Sequence, residues 1–222
     1  ATKLPPHERL ILRKIAHGTR NARVGSAMSL EQAHAAIRAG MEIGDTLRGN
    51  LLACAGLGVG SLESAALVLS RLTETPATEL LNRGPKGDMH QLAHVLILAQ
   101  GAQSRHRDVT DPVEVLAAFG GFEMAVMVGA MLVAASKRHL IMIDGMAACA
   151  ALLVATRIAE SVTDYCVFCR STNHQGLDKA LSLFQASALL QLGLEAADGT
   201  GASLSLPLVA SAAALLTGMA DD

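Results

Sequence analysis

Apolar positions recur along this chain in two periods that alternate from one end to the other. Ala33, Ile37, Met41 and Ile43 fall on one side of a helix capped by Ser29, with Gln32 completing a capping box, and the pattern fades near Leu47. Unbroken apolar runs follow. Leu51-Leu52-Ala53-Cys54-Ala55 between two glycines, Leu140-Ile141-Met142-Ile143 closed by Asp144-Gly145, Tyr165 to Cys169, and Leu189 to Leu194 all read as strands. Helical spacing fills the intervals over 62–72, 89–100, 122–136, 146–159 and 176–185. A helix opening at Asp111-Pro112 breaks at Gly120-Gly121. Leu4 to Thr19 predicts a short leading helix stopped at Gly18, and a last helix opens near Asp198 and runs to about Met219. Thr73–Asp88 and Gln103–Thr110 read as loops.

Strands alternating with helices give an α/β class with a largely parallel sheet. Residues 1–48 form a helical segment packing on a core of residues 49–222. In such sheets ligands bind at the loops beyond the strand C-termini. Four loops of that kind, 56–61, 144–146, 170–176 and 196–201, are polar or glycine-rich.

Composition narrows the function. Hydrophobic residues make up 51% of 222, enough for a large core, while aromatics are 2% and the net charge is −2. Without a basic block or an aromatic platform, nucleic acid is not an expected partner. Cys54, Cys149, Cys166 and Cys169 are spaced too irregularly for a disulfide framework, which suits the cytoplasm. The first six residues lack the apolar core of a signal peptide. The uncharged run Gly199–Ala220 is long enough to span a membrane. Gly199, Thr200, Gly201, Ser203, Ser205, Pro207 and Ser211 argue against it, and a soluble protein is expected.

Several clusters carry candidate chemistry. Asp198 stands before Gly199-Thr200-Gly201 at a helix start, where backbone N–H groups and the helix dipole attract an anion. Asp198 itself reads either as a general base with a raised pKa or as an ordinary N-cap. Gly56-x-Gly58-x-Gly60-Ser61, between a strand and a helix, reads as a ligand loop or as a tight packing turn. Its spacing is not the dinucleotide fingerprint. Asp144-Gly145 suits a ribose hydroxyl or a cap. Cys166 and Cys169 have a zinc-like spacing, but three residues apart on a strand they face opposite ways. His90 and His94, one helical turn apart, lack a third ligand. No metal and no cofactor is expected.

The order of these blocks resembles a known family. Ala117 to Ala125 is similar to its A-x-G-G-F-[ED]-[IL] segment, Asp144-Gly145-Met146 to its D-G-F, and Asp198-Gly199-Thr200-Gly201-Ala202 with Leu204, Leu206 and Pro207 to its G-E-G-[ST]-G-A-A-L-A-[LM]-P. Upstream, Lys14 to Asn21 resembles K-I-x-x-G-T-x-N, Ala27-Met28-Ser29 resembles A-M-[ST], and Leu51 to Ala66 resembles L-L-A-x-G-E-M-G-I-G-N-T-T-x-A-A. The family is nicotinate-nucleotide:dimethylbenzimidazole phosphoribosyltransferase, of cobalamin lower-ligand synthesis. The resemblance implies a Rossmann-like three-layer sandwich with a small helical subdomain, usually a homodimer. It also implies transfer of ribose phosphate from nicotinate mononucleotide to a benzimidazole. Carried over, Asp198 is the base, and Gly56, Gly58, Gly60, Ser61, Asp144, Gly145, Met146, Arg170, Ser171, Thr172, Gly199, Thr200 and Gly201 are substrate-binding, with Arg170 or Lys86 available for the phosphate.

The departures are specific. The family's Glu is Asp198 here, a retraction of roughly 1.5 Å in chemistry that needs contact near ~3 Å. Gly56 replaces a second Glu, and Ser61-Leu62-Glu63 replaces N-T-T. Cys169-Arg170-Ser171-Thr172-Asn173-His174 stands where S-H-x-S-A-E is usual. The sequence begins near the family's middle, without a portion that helps wall the acceptor pocket. Two readings follow: a divergent transferase, or a non-catalytic paralogue that binds a nucleotide or pairs with a full-length relative as a heterodimer.

Overall fold

In a computed structural model, which describes residues 5, 7–85 and 87–219, the strands β1 (Leu51–Ala55), β2 (Leu140–Asp144) and β3 (Cys166–Cys169) form a parallel sheet in the order β1-β2-β3. Leu51 pairs with Leu140 and Ala55 with Asp144. Ile141 pairs with Cys166 and Asp144 with Cys169. The register brings the C-terminal ends of all three strands level, so the loops that follow them share one rim.

The helices are α1 (Leu30–Thr46), α2 (Ser61–Thr73), α3 (Ala77–Leu80), α4 (Met89–Arg105), α5 (Pro112–Phe119), α6 (Phe122–Ser136), α7 (Met146–Ile158), α8 (Gln175–Ser182) and α9 (Thr200–Met219). Side chains alternate across β2, so its faces are covered by different elements. Ile141 and Ile143 enter the main core with α6 and α7, whereas Met142 meets Cys169, Ala202 and Val209, placing α9 on the opposite face. Helix, sheet and helix make three layers. Over Thr200–Gly218, α9 is long and apolar enough to cross a membrane by length and composition alone. Its first turns, with Ala202 and Ser205, are buried against the sheet, while Leu204, Leu206, Leu208, Leu215 and Leu216 are exposed.

At α1 the expected capping box is present: Gln32 N donates to Ser29 Oγ at 3.1 Å, and Ser29 N donates to Gln32 Oε1 at 2.9 Å. This helix packs along α6 through glycines. A Cβ on Gly40 would overlap the carbonyl of Val126, and one on Gly129 the carbonyl of Ile37. Alanine at Gly129 gains about 1 kcal/mol in helix propensity. Overpacking against backbone that cannot rotate away costs more, about 3 kcal/mol. Gly129→Ala is therefore expected to lower the denaturation midpoint, and a midpoint at or above the native value would show that the helices can move apart freely.

Two predicted elements do not form among the described residues. Residues 5 and 7–19 form no helix, only a turn at residues 8–9, while Leu4 and Pro6 lie outside the described residues. Leu10, Ile11 and Leu12 are consecutive rather than spaced on one side, and all three are exposed. Leu189–Leu194 is irregular rather than a strand. Gly193 turns the backbone to φ +65°, Leu189 and Leu192 are exposed, and the ladder contact nearby is an isolated antiparallel bridge between Thr172 and Glu195. Boundaries also move. α4 runs on through Arg105 into the expected polar loop, α8 stops at Ser182, and the loop after Thr73 holds α3.

Candidate active site

At the rim of the sheet lies a cavity of about 650 Å³ walled by Gly56, Leu57, Gly58, Ser61 and Leu62 after β1, Met146 and Ala147 after β2, Thr172, Asn173 and His174 after β3, and Glu195 to Asp198. Arg83, Gly87, Asp88 and Gln91 close it from the α3–α4 side. All four loops marked out in the sequence contribute.

The site is held together from beneath by Asp144. This residue ends β2 and has 0% of its surface exposed. Its Oδ2 accepts from Ser171 Oγ at 2.7 Å, from Gly199 N at 2.9 Å and from Ala202 N at 2.9 Å. Ser171 Oγ in turn accepts from Gly201 N at 2.7 Å. Thr200 N donates to Ala197 O at 3.2 Å. The first amides of α9, read from sequence as an anion site, are thus spent on the chain's own carboxylate and hydroxyl. Asp144, Ser171, Gly199, Thr200 and Gly201 do not line the cavity; they position what does. A negative side chain at a helix N-terminus is favoured by the dipole, so the fold uses the attraction internally.

Asp198 sits on the cavity wall just before that helix. Its carboxyl lies over Gly145, whose φ of +89° and missing Cβ leave the space that the carboxyl occupies. Burial first, then the charge of Asp144, pushes its pKa up to about 6. A proton acceptor poised there can take a proton near neutral pH.

Of the other sequence candidates, Gly56, Gly58, Ser61, Met146 and Thr172 line the cavity. Gly60 does not; it is the left-handed N-cap of α2, at φ +77°. Gly145 serves as backbone beneath Asp198. At Gly56 a Cβ would come 2.5 Å from the Cβ of Ala147, so the chain has closed over the place where the family carries a Glu. Arg170 is a correction. It is buried, donates to Thr172 O at 2.8 Å and His174 O at 3.1 Å, and pairs with Asp178, so it braces the loop instead of reaching a ligand. Gly201 packs on the Arg170 backbone, where a Cβ would not fit. Lys86 lies outside the described residues.

Sequence reading missed several contributors, among them Asp88 and Glu195 on the cavity wall. Glu123 accepts from Ser61 Oγ at 3.0 Å and so anchors the loop after β1; its signal was the Gly121-Phe122-Glu123 segment itself. Arg83 and Gln91 come from the stretch read as a loop and from the helix after it, with nothing local to mark them. His174 was visible only as a departure from the family loop. Burial, then Arg83 and Arg170, pushes its pKa down to about 4, and neither ring nitrogen has a hydrogen-bond partner among the described residues. Among the described residues no three His, Cys, Asp or Glu side chains cluster to hold a metal ion. His90 and His94 are exposed on α4, and burial raises the thiols of Cys166 and Cys169.

A model of a family described as phosphoribosyltransferase matches residues 2–222. The chain belongs to this phosphoribosyltransferase family. It is 42% identical over 220 residues to a nicotinate-nucleotide–dimethylbenzimidazole phosphoribosyltransferase of Cupriavidus taiwanensis, covering 98% of this chain and 64% of that protein. It is 38% identical over 216 residues to the protein of the same name from a Janthinobacterium species, covering 96% and 63%. The crystal structure of the Thermus thermophilus protein of that name superposes with a TM-score of 0.88 at 29% identity, over 97% of this chain and 65% of that one. The Rossmann-like α/β fold expected of a phosphoribosyltransferase of this kind is the fold observed. The chain spans less than two thirds of the length of these relatives.

Proposed function

We propose that this chain transfers the ribose 5-phosphate of nicotinate mononucleotide to a benzimidazole-type base, with Asp198 as general base. The observation that carries the reading is a carboxyl with a pKa of about 6 on the wall of a 650 Å³ cavity, held there by the Asp144–Ser171 support. The family membership and the names of the relatives support the choice of substrates.

The chemistry asks little of the protein beyond placement. Nicotinate departs readily because its ring nitrogen is cationic while bonded to ribose. The unprotonated ring nitrogen of the acceptor bonds to the ribose carbon as the bond from that carbon to nicotinate breaks, and the proton on the acceptor's other ring nitrogen goes to the Asp198 carboxylate. Holding donor and acceptor face to face in one cavity supplies much of the rate. Gly58 leaves its stretch of the cavity wall without a side chain, while at Gly56 the missing Cβ makes room for Ala147.

A homodimer, or pairing with a relative, belongs to the same reading, and the exposed leucines of α9 give it an apolar surface. All four thiols are free, which suits a cytoplasmic location. The non-catalytic alternative is less favoured, because the family match and the relatives at 38–42% identity carry the transferase name.

The test is release of free nicotinate from nicotinate mononucleotide in the presence of dimethylbenzimidazole, followed by chromatography. Release coupled to appearance of the benzimidazole nucleotide is the expected result. Tight binding of both substrates without turnover would overturn the assignment in favour of the non-catalytic relative.

A further inference from the structure

The phosphate of the proposed donor needs a partner, and the two obvious sites are taken. The α9 N-terminus is filled by Asp144 and Ser171, and Arg170 is occupied with Thr172, His174 and Asp178. Arg83 is different. Among the described residues it is the one Arg or Lys side chain lining the cavity. Half of its side-chain surface is exposed, and its ion pair with Glu63 is long at 3.8 Å. An exposed pair of that length contributes little and does not hold the guanidinium back.

The surroundings fix where Arg83 stands. Gly84 N donates to Asn82 Oδ1 at 2.8 Å, and Gly176 N donates to Asn82 O at 2.9 Å, so the turn carrying Arg83 is tied to the start of α8, next to His174. Burial first, then Arg83 and Arg170, lowers the pKa of His174, with Asp178 and Glu195 acting the other way, and among the described residues its ring nitrogens lack partners. Two more carboxylates line the cavity here: Asp88, engaged as the N-cap of α4 and accepting from His90 N at 2.8 Å and Gln91 N at 3.3 Å, and Glu195, whose charge reaches His174. Asp198, by contrast, is shifted only by burial and Asp144. Among the described residues Arg83 is therefore the one cationic point of a cavity whose other charged lining groups are the carboxylates Asp88, Glu195 and Asp198.

We infer that Arg83 binds the phosphate of the phosphoribosyl donor, exchanging its weak pair with Glu63 for charge-assisted hydrogen bonds to phosphate oxygens, with His174 beside it. This rests on the proposed transferase reading. The guanidinium fork matches a phosphate in a way that a lysine ammonium does not.

The experiment is calorimetric titration of the native chain, Arg83→Ala and Arg83→Lys with three probes: nicotinate mononucleotide, its dephosphorylated nucleoside, and ribose 5-phosphate. Hydrogen bonds to a charged partner correspond to about a 10- to 100-fold change in affinity. Arg83→Ala is expected to weaken the mononucleotide by that factor, to leave the nucleoside unchanged and so to abolish the preference for the phosphorylated form. Arg83→Lys is expected to recover part of it, which a merely misfolded variant cannot do. A preference for the mononucleotide that survives Arg83→Ala overturns the inference and leaves the transferase reading standing. Ribose 5-phosphate bound through Arg83 without any binding of the mononucleotide keeps the phosphate site and removes the nicotinate reading. Failure of every probe on the native chain overturns both.

Discussion

Replacing Asp144 with alanine is expected to be the most damaging single change for stability. One carboxylate oxygen accepts three hydrogen bonds from three separate places: the loop after β3, the glycine before α9, and the first turn of α9. Hydrogen bonds to a charged group are worth about 1.5–3 kcal/mol each, and removing the acceptor strands buried donors. The three losses are not additive, because the segments relax together, so about 3–5 kcal/mol is the expected total. Asp144→Asn keeps the shape and one oxygen acceptor but loses the charge, and should fall between native and alanine. Urea denaturation reads the difference. An Asp144→Ala midpoint within experimental error of native would mean that these segments hold themselves without it. Nicotinate release should fall as well, because Asp198 would lose the support beneath its loop.

The largest effect on turnover is expected at Asp198. Removing a positioned general base costs typically about 10²–10⁴ in rate, so Asp198→Ala should reduce nicotinate release by that factor while leaving donor binding nearly intact. Asp198→Glu, which restores the residue of the family motif, should retain release. The native rate should decline as pH falls through about 6, where the carboxyl takes up its proton, and Asp198→Asn should show no such step. Stability runs the other way. The folded pKa lies above the unfolded value of 3.8, so the native state binds the proton more tightly than the unfolded chain does. Raising the pH from about 4 to about 6 therefore withdraws stability, and above that window the contribution is constant. Asp198→Asn should remove this slope and be at least as stable as native at pH 7. A rate that rises with acidity would exclude Asp198 as the base.

Much of this was legible in the chain, for reasons that differ by element. Strands such as Leu140–Asp144 declared themselves because a centre strand buried on both faces must be continuously apolar, and the Ser29–Gln32 cap because both hydrogen bonds are local. Asp144, Asp198 and the glycines around them were found because turn chemistry and the family motif coincide. Their division of labour was not legible. Whether the α9 amides face a ligand or a carboxylate depends on Ser171 and Asp144, far away in sequence. Leu189–Leu194 misled because apolar content does not by itself sustain a ladder: Leu189 N donates to Phe168 O of β3 at 2.8 Å, but the turn at Gly193, φ +65°, takes the following residues out of register. Arg83 was invisible for a related reason: a lone arginine in an irregular stretch becomes meaningful only when α3 and α8 pack together and bring it beside His174.

The strand register also orders the assembly of the molecule. β2 and β3 are joined through α7 and a short 3₁₀ turn at Glu160–Tyr165, so their pairing closes a small loop of chain. β1 and β2, by contrast, enclose everything from α2 to α6 between Leu51 and Leu140. Loop closure costs more as the enclosed chain lengthens, and pairing between distant segments slows folding. Contact order therefore predicts that the β2–α7–β3 unit forms before β1 docks. Because the cavity lies between the loop after β1 and the loops after β2 and β3, it comes into being only at that last step. On that order, a chain from which β1 has come away keeps the β2–β3 ladder but has no cavity.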